Sequence, residues 1–204
     1  MTHTTDQEKF WAGEFGDAYI DRNLGDDLLA SKTALFGRVL SRTDNIHSAL
    51  EYGCNVSLNL IALKRLLPAA EVAGIEINER AAERVEQLGF SVLRRTIRGY
   101  RADRRFDLVL ISGVLIHIDP THLEDTYDAL YSACGRYLCI SEYYNPEPVE
   151  VPYRGHRDRL YKRDWAGEIL DRFSDLSLLD YGFVYHRARQ FPADDFTWFL
   201  LERR

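Results

Sequence analysis

Two rhythms of apolar and polar positions alternate along the chain. Phe10, Trp11, Phe15 and Tyr19 recur near helical spacing within 6–20, and Leu28, Leu29, Ala34, Leu35, Val39 and Leu40 do so within 27–42. Both segments therefore predict amphipathic helices. His47–Tyr52 reads as a short strand, followed by the polar turn 53–57 and a helix from Leu58 to Leu67, stopped by Pro68. Glu71–Ile77 predicts a second strand, Glu79–Gln87 a charged helix closed by Gly89, and Phe90–Leu93 a third strand. Phe106–Ile111 is the nearly continuous apolar run of a strand buried on both faces. A helix at His122–Ser132 and a strand at Tyr137–Ser141 come next, then a Pro- and Tyr-rich connection over 143–160, too long for a simple turn. Tyr161–Phe173 predicts the last helix, and Leu176–Tyr185 and Thr197–Leu201 the last strands.

Strands alternating with helices predict a doubly wound, Rossmann-like α/β fold with parallel strands and right-handed crossovers. The final two strands are joined by 186–196 without a helix, so they predict an antiparallel hairpin at one edge. The organisation expected is a helical lid over 1–45 and a Rossmann-like domain over 46–204, forming one domain overall.

Composition narrows the function classes. The chain has 204 residues, 46% of them hydrophobic, enough for one substantial core. With 26 Lys and Arg against 32 Asp and Glu, the formal charge is −6, which argues against generic nucleic-acid binding. Cys54, Cys134 and Cys139 form neither a disulfide framework nor a zinc pattern, so no metal site is expected. The cysteine usage, the polar start MTHTTDQEKFW and the absence of a long apolar run predict a cytoplasmic protein without a membrane segment. Nine of the 12 tyrosines fall at or after Tyr127, as in a ligand-binding half or a well-packed sheet.

Three segments carry candidate chemistry, each ending a predicted strand, where ligands of open α/β sheets bind. In the first, Gly53 permits a tight turn and close backbone approach, while Asn55, Ser57 and Asn59 are candidate helix caps or ligand contacts. Glu76 ends the second, 23 residues after Gly53; it is a candidate ribose acceptor or an N-terminal charge for the next helix. The third runs from Phe106 through Ser112 and Gly113 to His117 and Pro120. His117 is a general base, a substrate contact or a packed imidazole.

Together, Glu51-x-Gly53, Glu76 and Phe106-Asp-Leu-Val resemble the ordered motifs of class I S-adenosylmethionine-dependent methyltransferases. The opening QEKFWAGEFGDAYIDRN, the segments GVLIHI (113–118), EYYNP (142–146), PYRGH (152–156) and YGFVYH (181–186), and the final DFTWFLL resemble the pseudaminic acid biosynthesis-associated methylases over nearly the whole chain. The resemblance implies a seven-stranded, mostly parallel sheet ending in an antiparallel hairpin, with S-adenosyl-L-methionine as cofactor. It implies that Gly53, Cys54 and Asn55 line the methionine part of the cofactor and that Glu76 holds the ribose, with Glu51, Asn59 and Ile77 also among the cofactor-binding residues. Thr96 would stand near adenine, and Ser112 and Gly113 under the sulfonium. Ser57 occupies the place of a second glycine in the first loop, and the adenine position at Thr96-Ile97 has no acid. The opening helices would cover the cofactor, with Trp11 and Tyr19 packing on it and Arg22 pairing with its carboxylate; ordinary packing of the aromatics against the sheet is the alternative.

Glu142, just past the fifth strand, is the first candidate to contact or deprotonate an acceptor, or else a loop-fixing carboxylate. Tyr143, Tyr144, Tyr153 and Tyr185 are candidate acceptor walls. Arg154, His156, Arg157, Arg159, Lys162 and Arg163 concentrate positive charge in an acidic chain, as recognition of a carboxylate or phosphate would require. Tyr153, Arg154, His156 and Arg157 are the substrate contacts expected from this connection. A second basic stretch over 94–105 reads as a solvated connection or as a surface for an anion. The reading is a methyltransferase on a small anionic, sugar-derived acceptor, in nonulosonic (pseudaminic) acid or surface-glycan biosynthesis. The alternatives are another small molecule or a protein side chain as acceptor, or a non-catalytic binding protein that keeps the fold. The missing G-x-G-x-x-G disfavours an NAD-dependent oxidoreductase.

Overall fold

The computed structural model describes residues 5–22, 25–155 and 157–204. Along them run α1 (Asp6–Ala12), α2 (Glu14–Ile20), α3 (Asp26–Leu40), β1 (Ser48–Tyr52), α4 (Leu58–Leu66), β2 (Glu71–Glu76), α5 (Glu79–Gln87) and β3 (Ser91–Arg94). Next come β4 (Phe106–Ser112), two 3-10 turns (Leu115–His117 and Pro120–His122), α6 (Leu123–Ala133) and β5 (Cys134–Glu142). The chain continues through β6 (Val149–Glu150), β7 (Tyr161–Lys162), α7 (Trp165–Arg172), β8 (Leu176–Val184) and β9 (Phe196–Arg203).

Seven strands form one sheet in the order β3-β2-β1-β4-β5-β9-β8. The pairs from β3 through β5 are parallel, and β9 runs antiparallel to both β5 and β8. The last strand thus lies inside the sheet, and β8 takes the edge. Successive side chains of each strand go to opposite faces. Leu50, Tyr52, Val109, Ile111, Leu138 and Ile140 pack with α6 and α7 on one face. Ala49, Leu108, Leu110, Cys139 and Leu200 pack with α3 and α4 on the other.

Several expected elements change at their ends, each for a local reason. The helix expected over 6–20 breaks at Gly13, which is extended (φ −104°, ψ −155°). A Cβ on Gly16 would stand 1.9 Å from the Trp11 carbonyl oxygen, so only glycine lets α2 turn back this closely. The helix expected from Tyr161 starts at Trp165, where Asp164 accepts a hydrogen bond from the Gly167 amide. Tyr161–Lys162 pairs instead with Val149–Glu150, so the long connection contains a small hairpin. The lid expected over 1–45 divides. α3 belongs to the core, because Leu29, Leu35, Phe36 and Val39 give it a buried stripe. α1 and α2 lie over the carboxyl ends of the strands, held by bonds described below.

Asp107, in the Phe106-Asp-Leu-Val motif, fastens β1 to β4. Its Oδ2 accepts hydrogen bonds from the His47 and Ser48 amides and the Ser48 hydroxyl at 2.8–3.0 Å, while the Asp107 amide donates to Ser48 Oγ. Burial raises the carboxyl's pKa, but these donors outweigh it and leave the group below its usual range. Asp107→Ala is expected to cost about 1–3 kcal/mol, because it leaves two backbone donors without their partner. Urea unfolding of the purified chain measures this loss.

Candidate functional site

Strand order reverses between β1 and β4, since β2 and β3 lie to one side of β1 and β4 and β5 to the other. Backbone connections diverge at such a point and leave a crevice at the strands' carboxyl ends. A cavity of about 490 Å³ lies there, walled by the ends of β1, β2 and β4, by α1 and α2, and by the loop before β9.

The loop after β1 shapes its floor. Gly53, Asn55 and Ser57 all have left-handed backbones, with φ of +75°, +44° and +68°. Ser57 therefore does with strain what a glycine would do freely at the position where the resemblance places one. A Cβ on Gly53 would meet Val114 Cγ2 at 2.6 Å. Glu76 holds this loop to the next. Its Oε2 accepts from the Asn55 amide at 2.7 Å, and its Oε1 accepts from the Ile77 and Asn78 amides at 2.9 and 2.8 Å. Desolvation raises its pKa against the pull of these amides.

Glu51 is 1% exposed. Its Oε1 accepts from Asn59 Nδ2 at 2.5 Å, and its Oε2 has no hydrogen-bond partner among the described residues. Burial pushes its pKa up to about 8, against the Asn59 bond and the Lys32 charge. Lys32 reaches the cavity from α3 and makes no ion pair with a carboxylate among the described residues. Its pKa is lowered by desolvation, with Glu51, Asp194 and Glu142 opposing.

α1 and α2 are fastened across the cavity. Asn78 Nδ2 donates to the Trp11 carbonyl and to Asp17, and Thr96 Oγ1 and Arg98 Nε donate to Glu8. Gln7 donates to the Asp158 carbonyl. Trp11 lies 4.6 Å from the His117 ring, which lies 5.0 Å from Tyr153.

Of the residues singled out from sequence, Trp11, Tyr19, Glu51, Gly53, Cys54, Asn55, Asn59, Glu76, Ile77, Thr96, Ser112, Gly113 and His117 share this wall. Arg22 is exposed and stands off it. Glu142 lies behind the wall, where its Oε1 accepts from the Val114 and Leu115 amides at 2.9 and 3.0 Å and so shapes the turn after β4. Burial raises its pKa to about 7. His117 is buried, and its Nδ1 donates to the Arg159 carbonyl at 2.6 Å; desolvation lowers its pKa to about 4, so it is neutral at pH 7. Tyr143 stacks on Phe196 of the wall, whereas Tyr144 and Tyr185 are exposed. Tyr153 is half-buried against Phe15 and His117, outside the cavity, and Arg154 and Arg157 are exposed. His156 lies outside the described residues.

Sequence reasoning missed Lys32, Asn78, Asp194 and Phe196 on the wall. Lys32 had a signal: it falls between Leu28 and Leu35 on the apolar stripe of its helix, where an unpaired cation needs a reason. The basic stretch 94–105 is tied to the chain's own acids, with Arg94 on Glu86, Arg98 on Glu8, Arg101 on Asp128 and Arg104 on Glu71. Among the described residues no His, Cys, Asp and Glu cluster fits a metal ion, and no helix is long and apolar enough to cross a membrane.

The sequence matches no protein-family model and no curated sequence. Solved structures match the architecture throughout. Magnesium protoporphyrin IX methyltransferase from Synechocystis with bound SAM superposes with a TM-score of 0.67 at 15% identity, covering 100% of both chains. The fold is that of the class I S-adenosylmethionine-dependent methyltransferases. The glycopeptide N-methyltransferase MtfA shares this methyltransferase fold with a TM-score of 0.62 at 15% identity, covering 86% of this chain and 95% of that one. The plantazolicin methyltransferase BpumL, in complex with SAH, does so with a TM-score of 0.64 at 14% identity, covering 97% of this chain and 94% of that one.

The buried carboxyls make stability depend on pH. Glu51 and Glu142 have folded-state pKa values of about 8 and about 7, above the ordinary 4.5. Their contribution is complete below that ordinary value and is lost as pH rises through 7 and 8. The thermal midpoint of the unliganded protein is expected to fall by several degrees over this range, and Glu142→Gln to flatten the decline. Scanning calorimetry across pH checks both.

Proposed function

We propose that the chain is an S-adenosylmethionine-dependent methyltransferase. The observation that carries the reading is the unpaired Oε2 of Glu51, a buried acceptor on the wall of a crevice at the switch point of this fold. An α-ammonium group satisfies it, and Lys32 nearby supplies the charge for the accompanying carboxylate in place of the exposed Arg22. Glu76 retains capacity on its Oε2 for a ribose hydroxyl while it keeps the loops in place. Gly53 and Cys54 let backbone approach the ligand, Trp11, Tyr19, Thr96 and Ile77 wall the adenosine end, and Ser112 and Gly113 lie beneath its centre. The Cβ direction of Gly53 is filled by Val114 Cγ2 at 2.6 Å, so the fit to the cofactor rests on the buried Oε2 of Glu51 in the cavity wall. When bound, the cofactor supplies an electrophilic methyl group; the protein aligns the acceptor and excludes water. α1 and α2 act as the lid, bonded to Asn78, Thr96 and Arg98.

The acceptor we infer is small, anionic and sugar-derived, of the nonulosonic (pseudaminic) acid or surface-glycan type. Arg154 supports this as an exposed cation over the Tyr153 ring, whose own neighbour is the His117 ring of the cavity wall, and Arg157 adds a further exposed cation to the same connection. The neighbours of this fold take a porphyrin, a glycopeptide and plantazolicin, so the fold leaves the acceptor open.

Titration calorimetry with S-adenosylhomocysteine is expected to show binding, weakened about tenfold or more by Glu51→Gln and by Glu76→Ala. An ammonium group beside Glu51 favours its ionised form, so binding releases a proton and affinity rises with pH up to about 8. Equal affinity of wild type and Glu51→Gln at all pH values would falsify the ammonium assignment. Labelled S-adenosylmethionine offered with free nonulosonic acids, nucleotide sugars, neutral glycans and peptides is expected to label the anionic sugars. Label on the peptides alone overturns the sugar reading and leaves the methyltransferase one standing.

A further inference from the structure

The loop over 185–195 carries His186 back to the cavity wall beside Asp194 and Phe196. The His186 Nδ1 stands 2.9 Å from both oxygens of the Asp195 carboxylate, and the His186 amide donates to Asp195 Oδ1 at 2.9 Å. Asp195 is itself held in the left-handed region at φ +54°, with its amide donating to the Ala193 carbonyl. A non-glycine residue keeps that backbone only where its surroundings over-determine it. An ionised carboxylate only accepts hydrogen bonds, so the proton of the neutral imidazole sits on Nδ1 and Nε2 is left as an acceptor. A histidine whose far nitrogen is fixed by a carboxylate has the arrangement that proton abstraction needs.

We propose that His186 is the general base of methyl transfer to a hydroxyl acceptor, with Asp195 as its positioning residue. This rests on the methyltransferase reading above. As the acceptor oxygen bonds to the methyl carbon, the carbon–sulfur bond breaks and its electron pair stays on sulfur, which becomes a neutral thioether. The acceptor's proton goes to His186 Nε2, forming an imidazolium against the Asp195 carboxylate, and from there to solvent. The half-exposed ring gives that proton a way out. The two bases suggested by sequence are placed less well. His117 has its Nδ1 on the Arg159 carbonyl and its ring between Trp11 and Tyr153, and Glu142 sits behind the wall with Oε1 on two amides. The groups near His186 include Asp194 and Asp195 of its own loop and the adjacent Arg187, the Tyr185 ring at 4.7 Å, Lys162 of β7 acting on Asp195, and Asp194 acting on Lys32 of α3.

Three measurements on the full chain test the dyad. S-adenosylhomocysteine is expected to bind His186→Ala and Asp195→Ala with affinity near that of wild type, since the proposed cofactor contacts are Glu51, Glu76 and the loop after β1, and His186 meets the cavity from the loop before β9. If wild type fails to bind it, the methyltransferase reading falls rather than the dyad. Long-range nitrogen NMR is expected to find the neutral His186 ring protonated on Nδ1 in wild type and redistributed towards Nε2 in Asp195→Ala. A wild-type ring protonated on Nε2 overturns the proposal. With the labelled-methyl panel above, His186→Ala is expected to lower kcat about 10²–10⁴-fold with KM little changed, and added imidazole to restore part of it. Activity of His186→Ala within about threefold of wild type also overturns it.

Discussion

The Glu76 carboxylate is the interaction on which the site depends. One buried group receives three backbone amides from two loops: Asn55 from the loop after β1, and Ile77 and Asn78 from the loop after β2. These bonds fix the left-handed path of 53–57 and aim the Asn78 side chain at α1 and α2. Floor and cover are therefore set by the same carboxylate. Desolvation disfavours its charge, and the amides restore much of what burial takes away.

Charge is distributed in the same local way. The net −6 conceals a site in which Glu51, Asp194 and Glu142 act on the charge of Lys32, a residue of a core helix. On the surface, the basic run 94–105 is answered by acids from α1, α5, α6 and β2. The exposed pairs among them add little stability each, whereas Glu8 of the Arg98 pair is buried; together they engage all four arginines with the chain's own acids. The tyrosine excess likewise divides. Tyr52 and Tyr137 are core, Tyr143 and Tyr153 pack beside the cavity, and Tyr144, Tyr181 and Tyr185 are exposed.

The architecture was legible because it depends on periodicity. Alternation within β1, β4 and β5 feeds two helical layers, and that alternation is written residue by residue in the chain. Strand ends bearing Glu51, Gly53, Glu76 and Ser112 were legible for the same reason: a parallel sheet brings the carboxyl ends of its strands together whatever their separation in sequence. Arg22, Glu142 and the 145–163 connection were not. Arg22 has the right charge near the right helix but is exposed and does not line the cavity, whereas Lys32 is carried in by the stripe of α3. Glu142 ends the correct strand, but its Oε1 is taken by two amides of the turn after β4 and the residue does not line the cavity.

The sequence by itself determined the order of elements, the depth of the core and which strand ends meet, because these follow from local propensity and from what must leave water. Tertiary structure alone decided which polar groups face the cavity. That choice is made by hydrogen-bond partners from turns and from the helix after β1: Asn59 for Glu51, Asn55 for Glu76, the Val114 amide for Glu142, and Asp195 for His186, each settled by where the folded backbone places its donors and acceptors.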